Sequence, residues 1–217
     1  MTTNIRFVAN EPRVYRYAVD DYNAVQTTGI DRDELLRAGA EIREYFNNGE
    51  ETLLIRVDQN GRQVSLFNER ETAHMADVKD RFRTMNRVQV FSILYGAIYV
   101  AAVVLWAREV SVRLLAIQVA IGSALVLAAV GIAGAIGMAG FDSAWEGFHR
   151  LIFSNDFWQL NPRTDHLIQI FPPAFWESIV FFIGVMVAAE AALLLIAAGI
   201  YLGATHHQRT ARRLEAY

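Results

Sequence analysis

Three long apolar runs dominate the second part of the chain. They cover residues 88–106, 112–139 and 174–203. A bilayer core is about 30 Å thick and needs about 20 apolar residues in a helix, whereas a helix in a soluble core rarely has 18 or more in a row. The pattern therefore predicts an all-α membrane protein with three transmembrane helices, and it excludes a purely soluble enzyme.

The first 50 residues have apolar positions at helical spacing. Pro12 suits the first turn of a helix. Asp31 followed by Glu34 is a capping-box pattern and predicts the start of a second helix. Gly49 predicts its end, because glycine commonly follows the last helical turn. We therefore expect a helical N-terminal region.

A hairpin and a long helix follow. Segments 52–57 and 63–67 flank an Asn-Gly pair at 60–61, which favours a type I′ turn because both central residues need positive φ. Asn68, with Glu71 three residues later, predicts the start of a long helix that continues into the first apolar run. The expected fold is three membrane helices with a helical cap that contains one small β-hairpin.

Charge is unevenly distributed along the 217 residues. Residues 1–87 hold 13 of the 20 Lys and Arg and 15 of the 23 Asp and Glu. The net charge is only −3, so the chain lacks the basic surface that nucleic acid requires, and we expect no nucleic-acid partner. It contains no cysteine, which excludes disulfides, thiolate nucleophiles and cysteine-ligated metals.

Basic residues near the ends of the apolar runs predict the orientation. Arg108, Arg113 and the tail 206–213 favour the cytoplasm. Residues 1–87 and 140–173 would then lie on the extracytoplasmic side of the membrane. Export of a polar N-terminus of this length needs a signal that the sequence does not show, so we expect a further transmembrane span upstream; the alternative is an inverted topology.

The same pattern divides the chain into four expected regions. These are an extracytoplasmic N-terminal region (1–87), a transmembrane helical hairpin (88–139), an extracytoplasmic re-entrant or interfacial segment (140–173), and a third transmembrane helix with a cytoplasmic tail (174–217). The protein would cross the membrane several times.

Two histidines are candidate catalytic residues. His74 lies on a predicted helix with Glu71 one turn before it and Asp77 one turn after it, on the same face. A carboxylate beside an imidazole fixes its tautomer and raises its basicity, as a general base requires. His149 borders an apolar helix face and would lie at the edge of the lipid. The alternative for either histidine is an ordinary surface residue or a hydrogen-bonded buried one.

Other uses of these side chains stay open. The two histidines and two carboxylates could ligate zinc, as in a metal-dependent membrane hydrolase, but no recognised ligand spacing is present. His166 is expected in a loop. Glu190, near the middle of the third apolar run, is costly in lipid. It fits a transporter or scaffold subunit, or a protonated group bonded to Gln118 or to a backbone carbonyl.

Two motifs frame the first two apolar runs. The first is Glu71-x-x-His74-Met75-x-Asp77-Val78-Lys79. The second is Phe148-His149-x-x-Ile152-Phe153-x-Asn155-Asp156-x-Trp158-x-Leu160-x-Pro162, followed by Asp165 and Phe171-Pro172. Together they resemble the lipoprotein intramolecular transacylase family of bacterial integral membrane proteins, and the order of elements is similar over nearly the whole chain. Members of that family usually open with a transmembrane helix, in agreement with the upstream span expected above.

The resemblance implies an acyltransferase that acts within one bacterial lipoprotein. Its substrate would carry a diacylglyceryl thioether on the N-terminal cysteine. The enzyme would move the sn-2 acyl chain from glycerol to the cysteine α-amino group, which gives the lyso-form. Donor and acceptor are on one molecule, so no cofactor is expected. The implied partners are diacylglyceryl lipoproteins and membrane lipids, and the implied location is the bacterial cytoplasmic membrane, with the active face outside.

This chemistry fits the two histidines. An α-amine with a pKa of about 8 must lose a proton before it attacks an ester. The oxyanion then needs hydrogen-bond donors, and the glycerol oxygen must leave protonated. Our hypothesis is that His74, oriented by Glu71 or Asp77, and His149 form the catalytic pair, with a covalent acyl-imidazole as a variant. The sequence does not assign which histidine is the base.

Overall fold

Helices make up most of the structure. The computed structural model describes residues 2–59 and 61–214, without the side chains of 106–111 and 207–214. In chain order its elements are α1 (Thr2–Asn10), α2 (Pro12–Asp21), α3 (Ala24–Thr28), α4 (Arg32–Tyr45), β1 (Arg56–Gln59), β2 (Arg62–Ser65), α5 (Glu69–Ile152), α6 (His166–Ile170) and α7 (Pro173–Leu214). Arg108 and the basic tail beyond residue 206, which predicted the orientation, lie outside the described side chains.

The N-terminal helices start where the sequence predicts. Pro12 occupies the first turn of α2, and Asp31 caps α4 by accepting a hydrogen bond from the Asp33 amide. Glu34 does not complete a capping box, because its carboxylate accepts the Asp58 amide at 2.9 Å. The predicted end of α4 at Gly49 is wrong: the helix ends at Tyr45.

The predicted hairpin is confirmed as a two-stranded antiparallel sheet. Val57 pairs with Val64, and Arg56 with Ser65. Gly61 has a φ of 80°, a conformation that glycine adopts without strain. Each strand has four residues, so the sheet is shorter than the apolar segments suggested.

α5 begins with a complete capping box and folds into two arms. The Asn68 side chain accepts the Glu71 amide at 3.0 Å, and the Glu71 carboxylate accepts the Asn68 amide at 2.8 Å. Tyr99 and Gln118, 19 positions apart, are hydrogen-bonded at 2.8 Å. A straight helix would separate them by about 28 Å, so the chain reverses direction between them. The arms are Glu69–Leu105 and Val112–Ile152.

Three helices are long and apolar enough to cross a membrane: the two arms of α5 and Pro173–His206 of α7. The arms have 37 and 41 residues. They are therefore about 55 and 60 Å long, about twice the hydrocarbon thickness. Their polar ends, 69–87 and 142–152, extend beyond the hydrocarbon core. The three predicted transmembrane helices are confirmed.

The contacts of the chain form two compact units. The first contains residues 1–87 and 137–183, and the second contains residues 88–136 and 184–217. The expected division into four regions by side of the membrane stays a prediction.

The first unit has a continuous apolar core. Its buried side chains come from the N-terminal helices, the hairpin, α6 and the start of α7; they include Ile30, Leu35, Ile42, Tyr45, Val57, Leu66, Leu167, Phe171 and Phe175. At about 1.5–3 kcal/mol for each large apolar side chain, this burial stabilises the unit that carries both candidate histidines. In the second unit many apolar side chains are exposed, as expected for lipid-facing helices; examples are Phe91, Tyr95, Leu125 and Leu193.

Candidate active site

The structure brings the two candidate histidines together in the first unit. His74 lies in the polar beginning of the first arm of α5, and His149 lies in the last turn of the second arm. Their ring centroids are 6.0 Å apart, and each residue is only 8% exposed. Two residues that are far apart in sequence therefore form one buried pair, and both lie outside the apolar runs 88–106 and 112–139.

The hydrogen bond of His149 fixes its tautomer. Its Nδ1 atom lies 2.8 Å from the carbonyl oxygen of Trp145. Because a carbonyl only accepts hydrogen bonds, Nδ1 carries the proton and donates it. In the neutral ring, Nε2 then has the free electron pair. The geometry therefore assigns Nε2 of His149 as the basic atom.

Burial keeps both imidazoles neutral. It lowers the pKa of His74 to about 4, with a further lowering from His149 and a smaller opposing effect from the Asp77 carboxylate. Burial also lowers the pKa of His149, against the raising effect of its bond to the Trp145 carbonyl. Among the described residues, Nδ1 of His74 has no hydrogen-bond partner. Near neutral pH both rings are therefore uncharged. The Asp77 carboxylate raises the pKa of His74, as expected from the sequence, but burial outweighs this effect.

Aromatic rings enclose the pair. Around His149 the ring centroids lie at 4.6 Å for Trp145, 5.1 Å for Trp158 and 5.4 Å for Phe148. The Phe153 ring lies 5.2 Å from His74 and 5.7 Å from His149. Such walls exclude water, which strengthens the electrostatic interactions inside the site.

Glu71 is buried, and its carboxylate accepts hydrogen bonds from two backbone amides. It is 1% exposed, and besides the Asn68 amide it accepts the Leu167 amide at 2.6 Å. Burial raises the pKa of this carboxyl group. Glu71 thus joins the start of α5 to α6. Within the described part of the chain it makes no hydrogen bond to His74, so it does not orient the ring directly.

Asp77 interacts with His74 through its charge. Its Oδ2 atom accepts a hydrogen bond from Nδ2 of Asn155 at 2.8 Å, and the carboxylate favours the protonated form of His74. No hydrogen bond joins Asp77 to His74 among the described residues. The geometry therefore makes Asp77 a nearby charge held by the loop that follows α5. Its catalytic role stays a prediction.

Comparison with known proteins identifies the family. The protein-family model for the lipoprotein intramolecular transacylase Lit matches residues 1–176. The chain belongs to this family. Its resemblance to the family, inferred from the two motifs, is therefore confirmed, and the chain is an acyltransferase of the intramolecular lipoprotein type. No curated protein sequence matches the chain.

Solved structures of Lit from Bacillus cereus share the fold. An in meso structure of this membrane-integral enzyme has a TM-score of 0.71 and 18% identity, over 95% of this chain and 90% of that chain. Two further structures of the same enzyme, in which one histidine is replaced by arginine or by alanine, have TM-scores of 0.67 and 0.69 at 18% identity. They cover 95% of this chain and 85% and 88% of theirs. The likeness confirms the membrane fold of a Lit protein.

Sequence reasoning missed the polar groups that hold the Lit site together. Asp165 is buried and accepts hydrogen bonds from Asn68 Nδ2 at 3.0 Å and from the Asn161 amide at 2.7 Å. Asn155 holds Asp77, as described above. Both residues belong to the second motif, so the motif contained the signal, but the sequence could not show which partners they meet.

The remaining candidates lie apart from the pair. His166 is the first residue of α6, not a loop residue, and its Nδ1 atom donates to the Leu66 carbonyl at 2.6 Å. In the second unit Glu190 is exposed, and Gln118 bonds to Tyr99 instead. In the described part of the chain, no three His, Asp or Glu side chains are placed to hold one metal ion.

Proposed function

We propose that this Lit protein transfers the sn-2 acyl chain of a diacylglyceryl-cysteine to the α-amino group of the same cysteine. The product is an N-acyl, S-monoacylglyceryl lipoprotein, the lyso-form. The observation that carries the proposal is the buried pair His74 and His149, whose ring centroids are 6.0 Å apart and which aromatic side chains surround. The substrate places its ester at the headgroup level, where this enclosure lies in the predicted orientation.

His149 acts as the base in this proposal. The α-amine has a pKa of about 8, so a minor fraction is already neutral at pH 7. As its nitrogen attacks the ester carbonyl, Nε2 of His149 takes one proton from it. The C–N bond forms and the carbonyl oxygen becomes an oxyanion. General-base assistance of this kind contributes about 10²–10⁴ in rate.

His74 stabilises the oxyanion in this proposal. As a neutral imidazole it has one N–H group to donate, which stabilises the oxyanion of the tetrahedral intermediate. When the intermediate collapses, the bond between the carbonyl carbon and the glycerol oxygen breaks. The proton held by His149 passes to that oxygen, so the amide and a free glycerol hydroxyl form without an external acid.

The location is part of the proposal. We place the histidine pair on the extracytoplasmic side of the bacterial cytoplasmic membrane, with membrane lipids around the spans. Supporting this, residues 69–87 and 142–152 are polar extensions of apolar spans, and the lipoprotein substrate is anchored by its own acyl chains.

The test uses a reporter lipoprotein in a bacterial host that makes diacylglyceryl lipoproteins but does not acylate their N-terminus. Mass spectrometry of the N-terminal peptide should detect N-acyl, S-monoacylglyceryl cysteine when this chain is expressed. His149→Ala should reduce the yield by at least about 100-fold, and His74→Ala by at least about tenfold. His206→Ala, a change at an exposed position, should leave it unchanged.

Two outcomes would contradict the proposal. One is an unchanged diacylglyceryl cysteine in cells that contain the folded protein. The other is full activity in both histidine variants.

A further inference from the structure

A short loop crosses α5 at His74 and is held on both sides of it. We name residues 153–158 the crossing loop. Arg70, one turn before His74, donates from Nη2 to the Asp156 carbonyl at 2.7 Å. Asp77, one turn after His74, accepts Nδ2 of Asn155 at 2.8 Å. Neighbouring residues of the loop are thus fixed to points about two turns apart on one helix.

The crossing loop supplies two walls of the active site. Its first residue, Phe153, contacts both histidine rings, and its last residue, Trp158, lies against His149. Asn155 also fixes the loop internally, since its Oδ1 atom accepts the Phe157 amide at 3.1 Å. One asparagine therefore donates from its side-chain NH2 group to the helix and accepts with its side-chain carbonyl oxygen from the loop.

We infer that Asn155 is a positioning residue for acyl transfer. Through Asp77 it holds the crossing loop against α5, so that Phe153 and Trp158 keep both imidazoles in place and shielded from water. The same hydrogen bond fixes the position of the Asp77 charge beside His74. This inference rests on the proposed function. It adds a group that acts on the reaction through its neighbours, without contact to the substrate.

The hydrogen bond between Asn155 and Asp77 can be tested by exchanging the two residues. Asn155→Asp keeps an oxygen for the Phe157 amide but sets a second carboxylate against Asp77. This destroys the bridge while both groups are ionised, because an ionised carboxylate only accepts hydrogen bonds. The double variant Asp77→Asn with Asn155→Asp restores one amide donor opposite one carboxylate. Gln159→Ala is the matched control: it removes an exposed bond to the Asp156 side chain within the same region, without touching α5.

The full chain, purified in detergent micelles, would be assayed with a diacylglyceryl-cysteine lipopeptide. We expect kcat of Asn155→Asp to fall at least about tenfold with little change in KM, since a partly buried hydrogen bond to a charged group is lost. The exchange variant should recover part of the lost kcat, because it restores the bridge but not the Asp77 charge beside His74, and Gln159→Ala should equal wild type. Recovery in the exchange variant would show that the loss in Asn155→Asp comes from the bridge to Asp77 and not from another contact of Asn155.

Hydrogen exchange of the crossing loop gives a readout that does not depend on activity. Backbone amides of residues 153–158 should exchange faster in Asn155→Asp and at the wild-type rate in the exchange variant. If Asn155→Asp does not fold, Asn155→Ser tests the same bond, since its hydroxyl is too short to reach Asp77.

The inference is overturned if the folded Asn155→Asp variant keeps the wild-type kcat, or if the exchange variant shows no recovery in either readout. Failure of the proposed function has a different signature. In that case wild type makes no lyso-form product, while the exchange rates still report whether Asn155 holds the loop.

Discussion

The low pKa of His74 makes the stability of the protein depend on pH in a defined window. In the unfolded chain the imidazole has its ordinary pKa of 6.5, and in the folded chain its pKa is about 4. Between these values the unfolded state binds more protons, so acid favours unfolding. The contribution is fully present above about pH 6.5 and is lost as the pH falls toward 4.

The magnitude follows from the two pKa values. Each pKa unit corresponds to about 1.36 kcal/mol, so the complete loss is about 3 kcal/mol, of which about 2 kcal/mol occurs between pH 8 and pH 5. His149 contributes with the same sign, because burial lowers its pKa as well. This effect is large compared with the free energy of unfolding of a typical folded protein, which is about 5–15 kcal/mol.

The assay compares wild type with His74→Asn, which cannot titrate in this range. Both proteins, in detergent micelles, would be unfolded with SDS at pH 8 and pH 5 and followed by circular dichroism. Other groups titrate in both proteins, so the difference isolates His74. Wild type should lose about 2 kcal/mol more than the variant. Equal losses, or an NMR titration of the His74 ring with its midpoint near 6.5, would refute the reasoning.

Two further predictions concern stability. Lys79 is 2% exposed and donates to Asn48 Oδ1 at 2.9 Å and to the Glu50 carbonyl at 2.5 Å. We expect Lys79→Met to lower the free energy of unfolding by about 1–3 kcal/mol, measured by SDS titration; a change below about 0.5 kcal/mol would contradict a structural role for these bonds. Gly29 has a φ of 66°, so Gly29→Ala should cost about 1 kcal/mol, whereas Gly49→Ala, which also meets open space but has no positive φ, should cost less. Equal Tm values for the two variants would refute this.

Local signals explain what the sequence predicted about the fold. The capping box of Asn68 and Glu71, the Asn-Gly hairpin and the three apolar runs each depend on residues close together in the chain. The end of α4 was missed because tertiary packing, with Tyr45 in the core, decides where that helix stops. Local pattern gives the type of an element more reliably than its boundary.

The candidate site was predictable only in part. Spacing on one helix pointed to His74, Glu71 and Asp77, and the structure puts all three on the same arm of α5. The sequence could not show that the Glu71 carboxylate accepts a hydrogen bond from the Leu167 amide, nor that the Asp77 carboxylate accepts one from Asn155. These contacts join segments separated by two membrane spans, and no local pattern encodes such distances.

The interleaved core of the first unit has a consequence for biosynthesis. Its N-terminal helices and hairpin are complete once residue 87 has been made, yet their core also requires Leu167, Phe171 and Phe175. At about 5–20 residues per second, the ribosome supplies these side chains several seconds later. During that interval two membrane helices must insert while the nascent N-terminal region waits with an open apolar face. Packing of the N-terminal region is therefore complete only after residues 167–175 have been synthesised.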